Sequence, residues 1–251
     1  MYQPAVLYTE YAGAVSVTAT DSLADSDPED VLLATEDTWW APANQSGSKS
    51  LIFDFGAGYY YNAIALLGRD LDGVTVEIRG STDNFSASDF QIKAPTALSA
   101  PVNAGWLIAP GSTVRYHKVI FSGFSSDFRV AHVCLDQIRP LPYLSEDFDP
   151  DGFDAAGEQL VSSSGVYVGS TLQRTMRELP LDLGQVTDSE YAIIAHWAEN
   201  RLRRLLPYFF LPEQWTYDTA YFGWNKDGRF SAPLKDGVRT VAPMTFVTRA
   251  L

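Results

Sequence analysis

Along the first half of the chain, apolar residues recur at every second position in short runs. Leu51, Phe53 and Phe55 alternate with Ile52 and Asp54 before Gly56 breaks the run. Val74, Val76 and Ile78 alternate with Thr75, Glu77 and Arg79 between Gly73 and Gly80. A period of two puts one set of side chains on each face of a strand, so these runs predict strands with a dry and a wet face. Residues 62–67, 114–121 and 128–135 predict further strands, and the turn-rich pieces 80–84 and 122–127 separate them. Many short strands with almost no helical periodicity predict a β-sandwich or jelly roll over residues 1–139.

The pattern then changes. Arg139-Pro-Leu-Pro142 is stiff and extended, and an acidic, glycine-containing stretch follows it, which predicts a linker over residues 140–158. Thr187-Asp-Ser-Glu190 is a capping box, in which hydroxyl and carboxylate reciprocally satisfy the first backbone N–H groups of a helix. Tyr191, Ile194, Trp197, Ala198, Leu202 and Leu205 follow at spacings of three and four and make one apolar stripe. Arg201, Arg203 and Arg204 suit the negative end of the helix dipole, and Pro207 stops the helix. These signals predict a helix over 188–205. Leu179, Leu181 and Leu183 alternate around Pro180, which predicts an edge strand. Residues 208–211, 216–224 and 238–248 complete a small sheet. The fold class is therefore mainly β: an N-terminal jelly-roll sandwich, then a smaller α+β domain over residues 159–251, with one amphipathic helix packed on a β-sheet.

With 46% hydrophobic and 20% charged residues, the 251-residue chain has material for a real core. The formal net charge of −13 repels polyphosphate, so nucleic acid is not expected as a partner. Cys134 is the only cysteine, which excludes an internal disulfide; its place in the apolar run 130–135 makes it a small buried hydrophobe rather than a nucleophile. No stretch approaches the roughly 18 apolar residues of a spanning helix. The opening MYQPAVLYTE lacks a basic region followed by an apolar one, so no signal peptide is expected.

Val15-Ser-Val-Thr-Ala-Thr20, Asp37-Thr-Trp-Trp-Ala41, Leu51-Ile-Phe-Asp-Phe-Gly56, Asn62-Ala-Ile-Ala-Leu-Leu-Gly68, Val74-Thr-Val-Glu-Ile-Arg-Gly-Ser-Thr-Asp83 and Arg115-Tyr-His-Lys-Val-Ile-Phe121 form an ordered series. In this order they resemble the discoidin-like, galactose-binding jelly roll over roughly residues 10–138. The cysteine pair common among secreted members is missing. Arg174-Thr-Met-Arg-Glu-Leu-Pro-Leu-Asp-Leu183, the capped helix, Pro207-Tyr-Phe-Phe210, Tyr221-Phe-Gly-Trp224 and the closing run 241–248 are similar to the ring-forming domain of distal-tail and tail-tip proteins of long-tailed bacteriophages. That resemblance implies a non-enzymatic structural part of a phage tail tip, located in the virion and assembled in the bacterial cytoplasm. Its partners would be further copies in a homo-oligomeric ring and the tube, hub and tape-measure proteins. The alternatives are a carbohydrate-binding module that attaches to a host-surface glycan, and a glycan hydrolase.

Trp39 and Trp40 are neighbours in a turn-like stretch and so point opposite ways; either one is buried and the other stacks on a sugar ring, or both pack, one in the core and one on the adjoining domain. Tyr59 and Tyr60, in the run Tyr59–Tyr61, suit sugar binding or subunit contact equally. For ring contacts the candidates are Tyr208, Phe209, Phe210, Tyr221 and Trp224, with Arg201 and Arg204 steering onto an acidic neighbour. Asp147, Asp149, Asp151 and Glu158 match the spacing of a calcium loop, with Gly152 at its turn. The flanks are wrong for entering and exiting helices, and a solvated acidic linker is the competing reading. His117, His132 and His196 are isolated and have no metal-ligand spacing. No nucleophile elbow, phosphate loop or dinucleotide fingerprint occurs, and no cofactor is expected.

Overall fold

The computed structural model describes residues 3–10, 15–44, 46–100, 104–124, 127–144, 154–161, 167–213, 220–226, 230–235 and 238–249. In chain order the strands of the first part are β1 (Ala5–Leu7), β2 (Ser16–Ala19), β3 (Lys49–Arg69), β4 (Thr75–Ser81), β5 (Phe90–Ala97), β6 (Ala104–Ser122), β7 (Arg129–Asp136) and β8 (Arg139–Pro140). Then come β9 (Asp154–Val161), β10 (Tyr167–Leu181), β11 (Gln185–Val186), α1 (Asp188–Trp197), β12 (Tyr208–Leu211), β13 (Tyr221–Asn225), β14 (Leu234–Lys235), β15 (Val238–Thr240) and β16 (Met244–Arg249). The chain divides into two compact units. One comprises Pro4–Pro140 and Pro207–Tyr221; the other comprises Met1–Gln3, Leu141–Leu206 and Phe222–Leu251.

The first unit is a β-sandwich built around two long strands. The sequence reading expects separate strands at Leu51–Phe55 and Asn62–Leu67; they are one bent strand, β3. Its first part pairs with β2 and with the last part of β6, and its second part pairs with β7 and with the first part of β6. Register slips between Asp54 and Tyr59, and again between Tyr61 and Ala63, mark the bend. The hairpin of β3 and β6 thus folds across from one sheet to the other. One sheet runs β2-β3-β6-β4-β5, and the other runs β6-β3-β7. Leu51, Phe53, Val76, Ile78, Val119 and Phe121 from one sheet face Ile64, Leu66, Leu107, Val133 and Leu135 from the other across a single apolar core.

The β6-β3-β7 sheet is dry on both faces. Ala63, Ala65, Trp106 and Cys134 point away from the sandwich core, yet all are fully buried. A second layer covers them: β1 lies between β8 and β12 in a short antiparallel strip. Phe209 of β12 lies parallel to His132 at 5.8 Å, and the Thr9 hydroxyl donates to Cys134 Sγ at 3.4 Å. Strand β12, which the sequence order assigns to the second domain, therefore belongs to the first unit, because the apolar back of β7 needs it.

In the second unit β10 is long. It pairs with β16 through Met176–Leu181 and with β9 through Tyr167–Met176. Pro180 lies beyond the end of β9, so its missing N–H interrupts no ladder on that flank among the described residues. The expected strand at 238–248 is two, β15 and β16, and β11, β15 and β14 form a small separate sheet. The capping box is present: Glu190 N donates to Thr187 Oγ1 at 3.3 Å and Thr187 N to Glu190 Oε2 at 2.7 Å. The helix is shorter than its stripe predicts. It widens into a π turn at Ala198–Leu202, with Arg203 N donating to Ala198 O at 2.9 Å. Leu205 then takes a left-handed φ of 53° and is exposed, and the buried stripe is Ile194, Trp197, Ala198 and Leu202. No helix among the described residues is long and apolar enough to cross a membrane.

Candidate binding site

The loop from β2 to β3 is built from local bonds. Asp27 accepts from Glu29 N at 2.9 Å and opens a 3₁₀ turn, Pro28–Leu32. Ser26 Oγ accepts from Ala41 N at 2.6 Å, and Leu23 N donates to Ala41 O at 3.0 Å. Lys49, only 5% exposed, donates to Asp21 Oδ2 at 2.7 Å and to Asn44 Oδ1 at 2.8 Å, and Asn44 Nδ2 also donates to Asp21. This buried ammonium ties both ends of the loop to the start of β3.

The same loop carries the two tryptophans. Trp40 bridges to Val130 at the start of β7, fixing which way each ring points. Trp40 is fully buried between Phe121 and Phe128, each 6.0 Å away, and its indole N–H donates to Ser22 Oγ at 3.0 Å. It is a core residue with no face to offer a ligand. Trp39 points to the other side and is half-buried, with the Arg129 guanidinium 4.0 Å from its ring centroid. Arg129 is in turn the cross-strand partner of Arg69, whose Nε lies 3.3 Å from the neighbouring Asp70. Trp39, Arg129 and Arg69 thus lie together at one end of the sandwich. No motif in the sequence marks the two arginines; only the register of β3 against β7 joins them.

Tyr59 and Tyr60 lie at the bend of β3, the opposite end of the sandwich from Trp39. Tyr59 stacks on Phe55 at 4.4 Å and is half-buried. Burial, and then the nearby Asp136 carboxylate that it hydrogen-bonds, hold its phenol well above the usual range. Asp136, 3% exposed, is itself pushed up by burial, against the opposing pull of Arg139 and of the Gln137 and Glu10 amides. Tyr60 is 45% exposed and lies over Gly111, where a Cβ would come within 2.5 Å of its hydroxyl. Tyr61 is buried edge-on against His117. The four expected sugar-contact residues therefore do not form one site.

The expected ring contacts are mostly internal. Tyr208, Phe209, Phe210 and Tyr221 are buried within the chain, so they present no greasy edge to a neighbour. Of these, Phe209 lies against His132 in the layer behind β7. Trp224 is 40% exposed, Arg204 is exposed and Arg201 is half-buried. Asp147, Asp149 and Asp151 of the calcium pattern lie outside the described residues. Glu158 pairs with Thr171 in β9, a strand where a helix–loop–helix unit would need its exiting helix. Among the described residues no group of three or more His, Cys, Asp and Glu side chains is placed to hold a metal ion.

No protein-family model matches the chain, and no curated protein matches it. Solved structures do. A family 32 carbohydrate-binding module from Clostridium perfringens, CpGH89CBM32-5, in complex with GalNAc-β-1,3-galactose, is 16% identical with a TM-score of 0.43, covering 49% of this chain and 94% of that one. The family 32 module of Clostridium perfringens NanJ, in complex with galactose, is 11% identical with a TM-score of 0.44, covering 53% of this chain and 98% of that one. The family 32 module of AlyQ, in complex with 4,5-unsaturated mannuronic acid, is 23% identical with a TM-score of 0.41, covering 48% of this chain and 92% of that one.

Proposed function

We propose that the first unit is a non-catalytic carbohydrate-binding jelly roll and that its contact surface is the end carrying Trp39. One observation carries this reading: a half-buried indole held in a fixed orientation, because its neighbour Trp40 is locked in the core and bridged to β7. A rigid, flat apolar face is what stacks on a sugar ring, and fixing it beforehand lowers the entropic cost of binding. Arg129 beside it supplies planar hydrogen-bond donors for hydroxyls at the rim of such a ring. The test is calorimetric titration of the full chain with galactose, GalNAc-β-1,3-galactose and an oligogalacturonate. The expected result is binding of at least one of them that Trp39→Ala weakens by about tenfold or more while lowering the melting temperature by no more than about 4 °C. Absence of binding to all three, or binding indifferent to Trp39, would overturn the reading.

A phage tail-tip role, in the virion, is the second reading. Trp224 and Arg204, the two expected contact residues that are exposed, are the surface it would use. A solution mass equal to a ring of copies, reduced to the monomer by Trp224→Ser, is its expected signature. A strictly monomeric chain would remove the ring.

A further inference from the structure

We infer that the Trp39 end takes a glycan bearing a carboxylate, with Arg69 and Arg129 as the pair that selects it. The inference rests on the carbohydrate-binding reading and adds the class of sugar. Arg69 and Arg129 are directly opposed residues on adjacent antiparallel strands. Opposed positions put side chains on the same face, with Cα atoms roughly 5 Å apart. Two like charges so placed repel, and a sheet with only stability to serve would place one carboxylate across from one arginine. Where arginines lie in the other sheet, carboxylates neutralise them: Arg79, opposite Lys118, lies 2.6 Å from Asp89 and 2.9 Å from Glu77, and Arg115 makes two bonds, at 2.7 and 2.8 Å, to Asp54 on the neighbouring strand.

Carboxylates are abundant, 31 acidic residues against 18 basic ones, so the lack of one beside Arg129 is not for want of supply. Among the described residues no carboxylate lies within ion-pair distance of Arg129, whose guanidinium lies over the Trp39 ring. Arg69, among the described residues, has only Asp70, its own chain neighbour, at 3.3 Å, and that contact is largely exposed, with 74% of the Arg69 side chain in solvent. An exposed pair of this kind holds an arginine weakly. The surroundings reinforce the direction. In a chain of net charge −13, a paired cationic spot beside an aromatic platform is where a diffusing anion is held and not repelled. The guanidinium fork matches a carboxylate in a plane, and the indole takes the apolar face of the ring that carries it.

Affinities measured on the full chain decide the point: those for galacturonate tetramer and for a neutral galactose tetramer, each at low and high sodium chloride, and the same two for Arg69→Gln and for Trp39→Ala. The expected result is a preference for the acidic tetramer of about tenfold or more at low salt, shrinking as salt rises. Arg69→Gln is expected to reduce that preference to about threefold or less, leave the neutral affinity where it was, and keep or raise the melting temperature, since it relieves a like-charge pair. Equal affinities for the two sugars, both lost in Trp39→Ala, would overturn the inference and leave the carbohydrate-binding reading standing. A full acidic preference retained in Arg69→Gln would likewise overturn it. Failure of either sugar to bind through Trp39 would instead remove the reading beneath it. Should Arg69→Gln not fold, Arg69→Lys, which keeps the charge and loses the fork, is expected to give an intermediate preference, and an unchanged preference would count against the pair.

Discussion

Trp40 and Val130 exchange two backbone hydrogen bonds, Trp40 N to Val130 O at 2.8 Å and Val130 N to Trp40 O at 2.9 Å. This one bridge adds the β2–β3 loop to the flank of β7 and decides the roles of two adjacent tryptophans. Because neighbours on an extended segment face opposite ways, locking one indole among Phe121 and Phe128 turns the other outward.

The two tryptophans are expected to respond oppositely to truncation. Trp40→Ala should cost about 3–5 kcal/mol of unfolding free energy, the range for deleting a buried aromatic and leaving a cavity. Trp39→Ala should cost less than about 1 kcal/mol, mostly the lost cation–π contact with Arg129. Urea unfolding of both variants checks this; equal losses would mean that Trp39 too is a core residue.

Gly68 is held to glycine by the close approach of β7. A Cβ there would sit 2.0 Å from the Arg129 carbonyl oxygen and 2.9 Å from Leu71 Cδ1. Gly68→Ala should cost about 3 kcal/mol, as overpacking against backbone does, and should displace the Arg69–Arg129 pair from register. Thermal unfolding together with the acidic-over-neutral sugar preference measures both effects.

His117 should make stability fall in acid. It is fully buried between Phe55 and Tyr61, with Nε2 donating to the Val114 carbonyl at 2.9 Å. Burial lowers its pKa from 6.5 to about 4, against the opposing effect of backbone carbonyls. Since the folded value is depressed, the contribution is present above pH 6.5 and is lost as pH falls toward 4. It amounts to about 3 kcal/mol, each tenfold in proton affinity being about 1.4 kcal/mol. Asp136, whose value is raised, acts in the opposite sense, so the comparison should be between the natural chain and His117→Gln. The natural chain should lose more stability than the variant between pH 7 and pH 4; parallel pH profiles would show that His117 is not the cause.

Thr187→Ala should destabilise α1 by about 1 kcal/mol, because the Glu190 N–H loses its acceptor. The cap also holds the Glu190 carboxyl below the usual range, first through the Thr187 hydroxyl and then through the Thr187 backbone N–H. In the variant the Glu190 titration followed by NMR should move back up; an unmoved titration would mean that the hydroxyl contributes nothing.

The sequence by itself determined the local elements and the sandwich class. Alternation in 51–55 and 74–79 reports burial on one face of a strand, and the capping box reports a helix start; both are short-range physics that neighbouring residues encode completely. It also set Trp39 and Trp40 on opposite faces, without saying which ring went where or whether both were packed. What it could not carry were facts created by chain segments far apart meeting. The joining of Leu51–Phe55 to Asn62–Leu67 as one bent strand depends on β6 running beside both. The burial of Phe209 depends on the apolar back of β7, and the pairing of its strand on β1, some two hundred residues upstream; the same aromatic run reads equally well as an exposed edge until those partners are placed. The pairing of Arg69 with Arg129 is a matter of strand register, which a slip of one residue would abolish. Period and propensity are written in consecutive residues; register and layering are decided only by which surfaces are left to cover when the strands assemble.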